Sequence, residues 1–271
     1  MSADFLITER RGGPLLLSMP HGGTTIPDWL APRLSANGTA IDDTDWWIDK
    51  LYDFAASLDA TVLRTTLSRY VIDVNRDPSG ASLYPGQATT ELCPVTDFDG
   101  IPLYKDGEAP GEAEIADRRV RYFAPYHAAL EAELARLKSI HGYALLFDCH
   151  SIRSVVPRLF EGRLPVFNIG TNSGAACDDG IAAAVVTACA AHPDFDYALN
   201  GRFKGGWITR RYGKPADGVH AVQLELAQLA YMEEARPWRF DPIKTQRLQP
   251  TLRTALAGMI DWGKTHFGAK R

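Results

Sequence analysis

Apolar residues recur along this chain in two spacings: short continuous runs, and longer stretches with the three- and four-residue repeat of an amphipathic helix. Runs at Leu15–Met19, Thr61–Arg64, Tyr70–Val74, Tyr143–Phe147, Val166–Ile169, Tyr197–Leu199 and Val219–Leu226 predict strands. Helical spacing covers Asp42–Leu58 (through Ile48, Leu51, Tyr52, Ala55 and Leu58), Ile115–Ile140, the neighbourhood of Asp179–Cys189, and Lys244–His266. Residues 77–113 predict a loop, with Pro78, Pro85, Pro94, Pro102 and Pro110 among glycines and acids. A loop of that length is uncommon unless it serves function. Strands alternating with helices predict an α/β sandwich on a mixed, largely parallel sheet, built as one domain over residues 1–271. There is no internal repeat.

Composition narrows the function. A net charge of −4 argues against general binding to nucleic acid or an anionic membrane, and no apolar run approaches bilayer-spanning length. The opening arginines precede only a short apolar run with no small-residue cleavage site, so no signal peptide is expected. Cys93, Cys149, Cys177 and Cys189 form no C-x-x-C pair. A reduced, cytoplasmic protein is the expectation.

Chemistry is sought at the strand ends, because ligands of open α/β sheets bind beyond the carboxyl ends of the strands. Four polar groups fall there: His21, Asn75-Arg76, Asp148-His150 and Glu225. His21 is followed by Gly22-Gly23, which permits close backbone approach, although a capping turn histidine would read the same. Asp148 and His150, two apart, share a strand face, so the carboxylate can orient the imidazole for a metal; a plain strand-end hydrogen bond is the alternative. Catalytic zinc takes three protein ligands of this kind and keeps one position open. Asp42, Asp43, Asp45 and Asp49 offer the third. Asp45 precedes Ile48 by three and Tyr52 by seven, on the buried stripe of the predicted helix, where a carboxylate needs a metal or an arginine. Asp42 or Asp43 suits an N-cap, and Asp43 stays as the alternative ligand.

Glu225 shares a strand face with Gln223, opposite Val222, Leu224 and Leu226. Burial there raises its pKa and suits a general base; an ion pair with Arg or Lys is the other reading. Arg69, Asn75 and Arg76 flank Tyr70–Val74, and Lys204, Arg210 and Arg211 lie beside the Gly205-Gly206 turn. Arginines of this kind suit carboxylate ligands. His127, between Phe123 and Leu130 on a largely apolar helix face, reads as a hydrogen-bonded core histidine. Dinucleotide, P-loop, H-E-x-x-H and G-x-S-x-G motifs are all absent.

Five segments in order, Pro20–Gly23, Ser68–Arg76, Asp148–Ser151, Lys204–Arg210 and Gln223–Gln228, resemble N-formylglutamate amidohydrolases (deformylases) from about residue 14 to residue 265. That family is similar in fold to zinc carboxypeptidases and aspartoacylases, which implies a three-layer α/β sandwich and one catalytic Zn2+ per chain. Residue by residue, the resemblance assigns His21 and His150 to zinc, Asn75 and Arg76 to substrate, and Glu225 to the general base and acid. Zinc carboxypeptidases place a glutamate three residues after the first histidine; Thr24 stands there, and the family pattern points to a later aspartate, which Asp45 fits. The implied reaction is hydrolysis of N-formyl-L-glutamate to formate and L-glutamate in histidine degradation. Arg69, Arg76 and Arg210 would hold the two carboxylates. Hydrolysis of another N-acyl amino acid, a short-peptide carboxypeptidase, and a metal-free binder of acidic amino acids are the alternatives.

Overall fold

A computed structural model describes residues 4–83, 86 and 88–268; Tyr84, Pro85 and Gln87 of the predicted loop lie outside them. Among the described residues the strands are β1 (Leu6–Glu9), β2 (Leu15–Met19), β3 (Thr61–Thr65), β4 (Ala144–Ile152), β5 (Phe167–Gly170), β6 (Tyr197–Leu199) and β7 (Val219–Ala227). They form one sheet in the order β1-β3-β2-β4-β7-β5-β6. β3, β2, β4 and β7 run parallel, β1 and β5 are antiparallel to β3 and β7, and β6 is parallel to β5. The α-helices are α1 (Ala36–Ala40), α2 (Ile48–Leu51), α3 (Glu112–Arg118), α4 (Ala124–His141), α5 (Asp179–Ala190), α6 (Trp207–Tyr212) and α7 (Pro242–Phe267).

β2 and β4 are buried at every position, the reason Leu15–Leu17 and Ala144–Phe147 read as apolar runs. One sheet face, with Leu15, Leu17, Phe147 and Leu224, packs against Ile181 and Val185 of α5 and Leu252 and Leu256 of α7. The other, with Leu16, Leu146 and Ala221, packs against Tyr126, Leu130 and Leu137 of α4 and Ile208 of α6. This is the expected three-layer sandwich. Each fully buried leucine contributes about 1.5–3 kcal/mol, so both faces anchor the sheet.

The second face changes character along the strands. The pairing register aligns Leu16, Leu146 and Ala221 in an apolar row, then Ser18, Asp148 and Gln223 in a polar one. His150 and Glu225 pair one step beyond, at the carboxyl edge. Pleat alternation thus turns a core face into a site wall within a few residues.

Three predicted elements differ. Tyr70–Val74 is a buried series of turns, not a strand: Val71 N–H returns to Ser68 O at 2.9 Å and Asp73 N–H donates to Leu92 O at 2.7 Å. Its apolar side chains enter the second-face core without joining a ladder. Asp42–Leu58 is not one helix. Ile41 (φ 47°) and Trp47 (φ 60°) adopt left-handed conformations that leave α1 and α2 as short pieces with Asp45 on the loop between them. The long pattern ending at Ile140 is helical throughout but widens into a π turn at Arg119–Phe123, just before Pro125, whose missing N–H cannot complete an α-helical bond. β1 and α6 carry too few apolar repeats to have been predicted.

His127 is the satisfied core histidine expected, with Nε2 donating to Val74 O at 2.8 Å and Nδ1 2.7 Å from Tyr212 Oη. Burial pushes its pKa down from 6.5 to about 4. The unfolded chain therefore takes up this proton first as pH falls, and stability present above pH 6.5 is lost on the way to pH 4, by roughly 3 kcal/mol at most. His127→Gln should flatten the fall in urea midpoint across that window relative to wild type. An unchanged slope would remove His127 as its source.

Candidate active site

His21 follows β2, where Gly23 lies so close to the segment after β3 that an added Cβ would sit 2.3 Å from Leu67 O. His21 Nε2 donates to Asp73 Oδ1 at 2.7 Å, which fixes the tautomer and leaves Nδ1 buried without a hydrogen-bond partner. Asp45 is brought to the same point by its loop, through its N–H donated to His21 O at 3.0 Å. The helix stripe inferred from sequence has no part in this placement. Asp45 Oδ2 lies 3.9 Å from His21 Nδ1 and 3.2 Å from His150 Nδ1, and accepts from Ser151 N–H at 3.2 Å. Asp45 Oδ1 is buried with no hydrogen-bond partner. His150 Nε2 is 2.9 Å from Asp148 Oδ2, as the two-residue spacing predicted. Behind it Ser18 Oγ donates to Asp148 Oδ1 at 2.9 Å, and Tyr126 Oη lies 2.9 Å from Ser18 Oγ.

One ligand atom each from His21, Asp45 and His150 lie within 4.8 Å of one another. His21 Nδ1 is a buried acceptor with no hydrogen-bond partner and Asp45 Oδ1 has only Arg69 Nη1 at 3.9 Å, so a cation seated among these residues would satisfy both. The chemistry of the donor set, two imidazoles and a carboxylate, fits zinc. Asp43 is directed elsewhere: its Oδ2 accepts from Phe98 N–H at 2.8 Å, and burial raises its pKa to about 7. Of the two aspartates, Asp45 joins the histidines.

The electrostatics separate the groups by environment. Burial, then the Arg69 charge, lowers the His21 pKa to about 4, keeping the imidazole neutral for ligation. Burial also opposes charge on His150, but Asp148, Asp45 and Glu225 outweigh it and hold its pKa well above the ordinary value. Carboxylates that favour a proton so strongly also favour a metal cation there. Burial works against ionisation of Asp73 too, yet Arg76, His21 and Arg69 keep its pKa well below the usual range.

Glu225 sits beside this group, buried, with its pKa raised to about 7 by burial, by Asp45 and by Asp148 against the pull of His150 and Arg69. Gln223 Nε2 donates to Glu225 Oε2 at 3.1 Å. His21, His150, Glu225, Asn75, Arg69 and Arg76 all line a cavity of about 620 Å³. Asn75 Nδ2 donates to Asp148 Oδ2 at 3.2 Å and its Oδ1 accepts from Ile208 N–H at 2.8 Å, so the amide is fixed in orientation. Gly206 leaves room for it, since a Cβ there would meet Asn75 Nδ2 at 2.5 Å. Arg69 Nη2 pairs with Asp73 Oδ2 at 2.6 Å, and Arg76 Nη2 is 3.4 Å from the same oxygen. Arg210 Nε donates to Gly205 O at 2.8 Å, and Arg210 is not among the described residues that line the cavity.

The family model of N-formylglutamate amidohydrolase matches residues 13–232. The chain is 48% identical over 269 residues to an N-formylglutamate deformylase of Pseudomonas aeruginosa, covering 97% of this chain and 99% of that protein. The chain belongs to the N-formylglutamate amidohydrolase family. An N-formylglutamate deformylase of Pseudomonas putida is 47% identical over 254 residues, 94% of this chain and 95% of its own. Among solved structures, N-formylglutamate amidohydrolase from Ralstonia eutropha JMP134 has the same fold, with a TM-score of 0.78 at 22% identity, covering 96% of this chain and 98% of that one. A gene product of Agrobacterium tumefaciens follows at a TM-score of 0.65 and 18% identity, over 96% and 94%.

Within this N-formylglutamate amidohydrolase fold, sequence reasoning missed Asp73, the buried acceptor beneath His21, Arg69 and Arg76. A lone acid inside Tyr70-Val71-Ile72-Asp73-Val74 was the available signal. It also missed Arg119 and Arg202 at the cavity, which nothing local distinguishes from surface arginines. Elemental analysis of purified protein should find one zinc per chain, lost in His21→Ala, His150→Ala and Asp45→Ala but kept in Asp43→Ala. Asp148→Asn should weaken zinc binding by roughly 10–100-fold, as loss of an orienting partner does. Full zinc in Asp45→Ala would overturn the ligand set.

Proposed function

We propose that the whole chain is one catalytic unit, a zinc-dependent amidohydrolase that converts N-formyl-L-glutamate to formate and L-glutamate, the step expected in histidine degradation. The observation that carries this reading is the convergence of His21, Asp45 and His150, with His21, His150 and Glu225, whose pKa is about 7, lining one cavity. The family and the activity named for the two Pseudomonas deformylases support it. No helix among the described residues is long and apolar enough to cross a membrane, which accords with a small-molecule enzyme of the cytoplasm.

His21, Asp45 and His150 would hold the ion, which when bound supplies Lewis acidity to the scissile carbonyl and to the attacking water. Glu225 takes a proton from that water at a carboxylate oxygen and delivers it to the leaving amine. Gln223, donating to Oε2, keeps the carboxylate turned to the cavity. Asn75 and Arg76 receive the α-carboxylate: the Asn75 amide is locked by Asp148 and Ile208, and Arg76 is steadied by its Nε bond to Thr90 O at 3.1 Å. Arg69, stacked over Phe98 with its guanidinium carbon 4.8 Å from the ring centroid, adds positive charge to the same wall. Arg210 serves this site by bracing the Gly205 carbonyl.

A panel of N-formyl, N-acetyl and N-succinyl amino acids and short peptides, run on zinc-loaded protein, tests the reading. N-formyl-L-glutamate should give the highest kcat/KM, and a better N-acyl substrate or peptide would replace it. Glu225→Gln should retain fold and zinc while turnover falls by ~10²–10⁴-fold, the usual loss of a general base. Near-normal turnover would move the base role to another group.

A further inference from the structure

Among the described residues, four arginines line the cavity: Arg69, Arg76, Arg119 and Arg202. Two of them share the Asp73 carboxylate, at 2.6 and 3.4 Å. With Asp73 between them and Asp45 Oδ1 3.9 Å from Arg69 Nη1, the positive charge of these two arginines is largely met inside the protein. A dicarboxylate entering a partly dry site needs a second cation for its other end.

Arg202 is the better placed of the remaining two. Its Nε donates to Leu159 O at 2.8 Å and its Nη2 to Ala88 O at 3.2 Å. Its guanidinium carbon stands 5.2 Å from the Phe203 ring centroid. These contacts hold the fork in one orientation before any ligand arrives, so little side-chain entropy is lost when a carboxylate binds. The segment that carries Arg202 is tied to the reacting centre. Gly206 N–H donates to Gln223 Oε1 at 2.7 Å, Gln223 in turn contacts Glu225, and Ile208 N–H holds Asn75. Arg119, on the π turn, is exposed and has no such tether to Glu225 or Asn75.

We infer that Arg202 binds the side-chain carboxylate of the substrate and sets the preference for an acidic over a neutral side chain. This rests on the deformylase reading and adds the residue that reads the distal charge.

The test compares kcat/KM for N-formyl-L-glutamate and N-formyl-L-glutamine in wild type, Arg202→Gln and Arg119→Gln. Wild type should prefer the acid. Arg202→Gln should lose on the order of 10²-fold on the acid while the amide changes by less than about threefold, as expected when one charge-assisted contact goes. Arg119→Gln should keep the wild-type ratio. Parallel losses on both substrates in Arg202→Gln would make the residue a loop strut and overturn the inference. So would an unchanged ratio, or a ratio that collapses only in Arg119→Gln; in these cases the deformylase reading stands. A wild-type protein inactive on both substrates would overturn the two together.

Discussion

The buried carboxylate of Asp73 holds the site together. It accepts from His21 Nε2, from Arg69 and from the Asn75 backbone N–H, and it lies within ion-pair distance of Arg76. A charge with no access to water survives only if several donors meet it. Those donors are the side chains that face the cavity: the His21 tautomer, the placement of Arg69 and the turn at Asn75-Arg76 all follow from satisfying one anion. The turns at Tyr70–Val74 exist to deliver that anion beneath His21, and a regular strand there would have bonded to a neighbour instead.

A parallel arrangement serves the other histidine. Asp148 holds His150 and is itself held by Ser18, Asn75 and, through Ser18, by Tyr126. These residues come from β2, β4, α4 and the segment after β3, so the imidazole is fixed by the packing of the sheet against its second-face layer rather than by its own loop. Rigid orientation of this kind matters for a metal ligand, where small errors in direction cost affinity.

Burial acts differently on each group because the neighbours differ. Asp73, surrounded by cations, stays ionised; Glu225, facing Asp45 and Asp148, is pushed to about 7. Two carboxylates of one site, Asp73 beneath the cavity wall and Glu225 on it, are thereby separated into a permanent counter-ion and a group able to take and return a proton near neutral pH. Gln223 bonds both to Glu225 and to the Gly206 turn, which ties the base to the segment that carries Arg202.

Much of this was legible along the chain. Buried parallel strands read as apolar runs because both their faces are covered, and the spacing of Asp148 to His150 and of Gln223 to Glu225 declared a shared face because the strand period is two. The motifs around His21, Asn75-Arg76, His150 and Glu225 carried the family resemblance, and periodicity placed α5 and α7 to within a few residues. What only the tertiary structure decided involved partners far apart in sequence. The family pattern pointed to Asp45, but the helix stripe also offered for it failed, since left-handed Ile41 and Trp47 break the helix; a backbone bond to His21 places it instead. Asp73 looked like a strand residue until its donors assembled around it. Arg202 had nothing in its local sequence to single it out, and only its long-range bonds to Leu159 O and Ala88 O show it held at the cavity. Local spacing sets the face a side chain occupies; which other faces it meets depends on long-range register and loop closure, which no local pattern encodes.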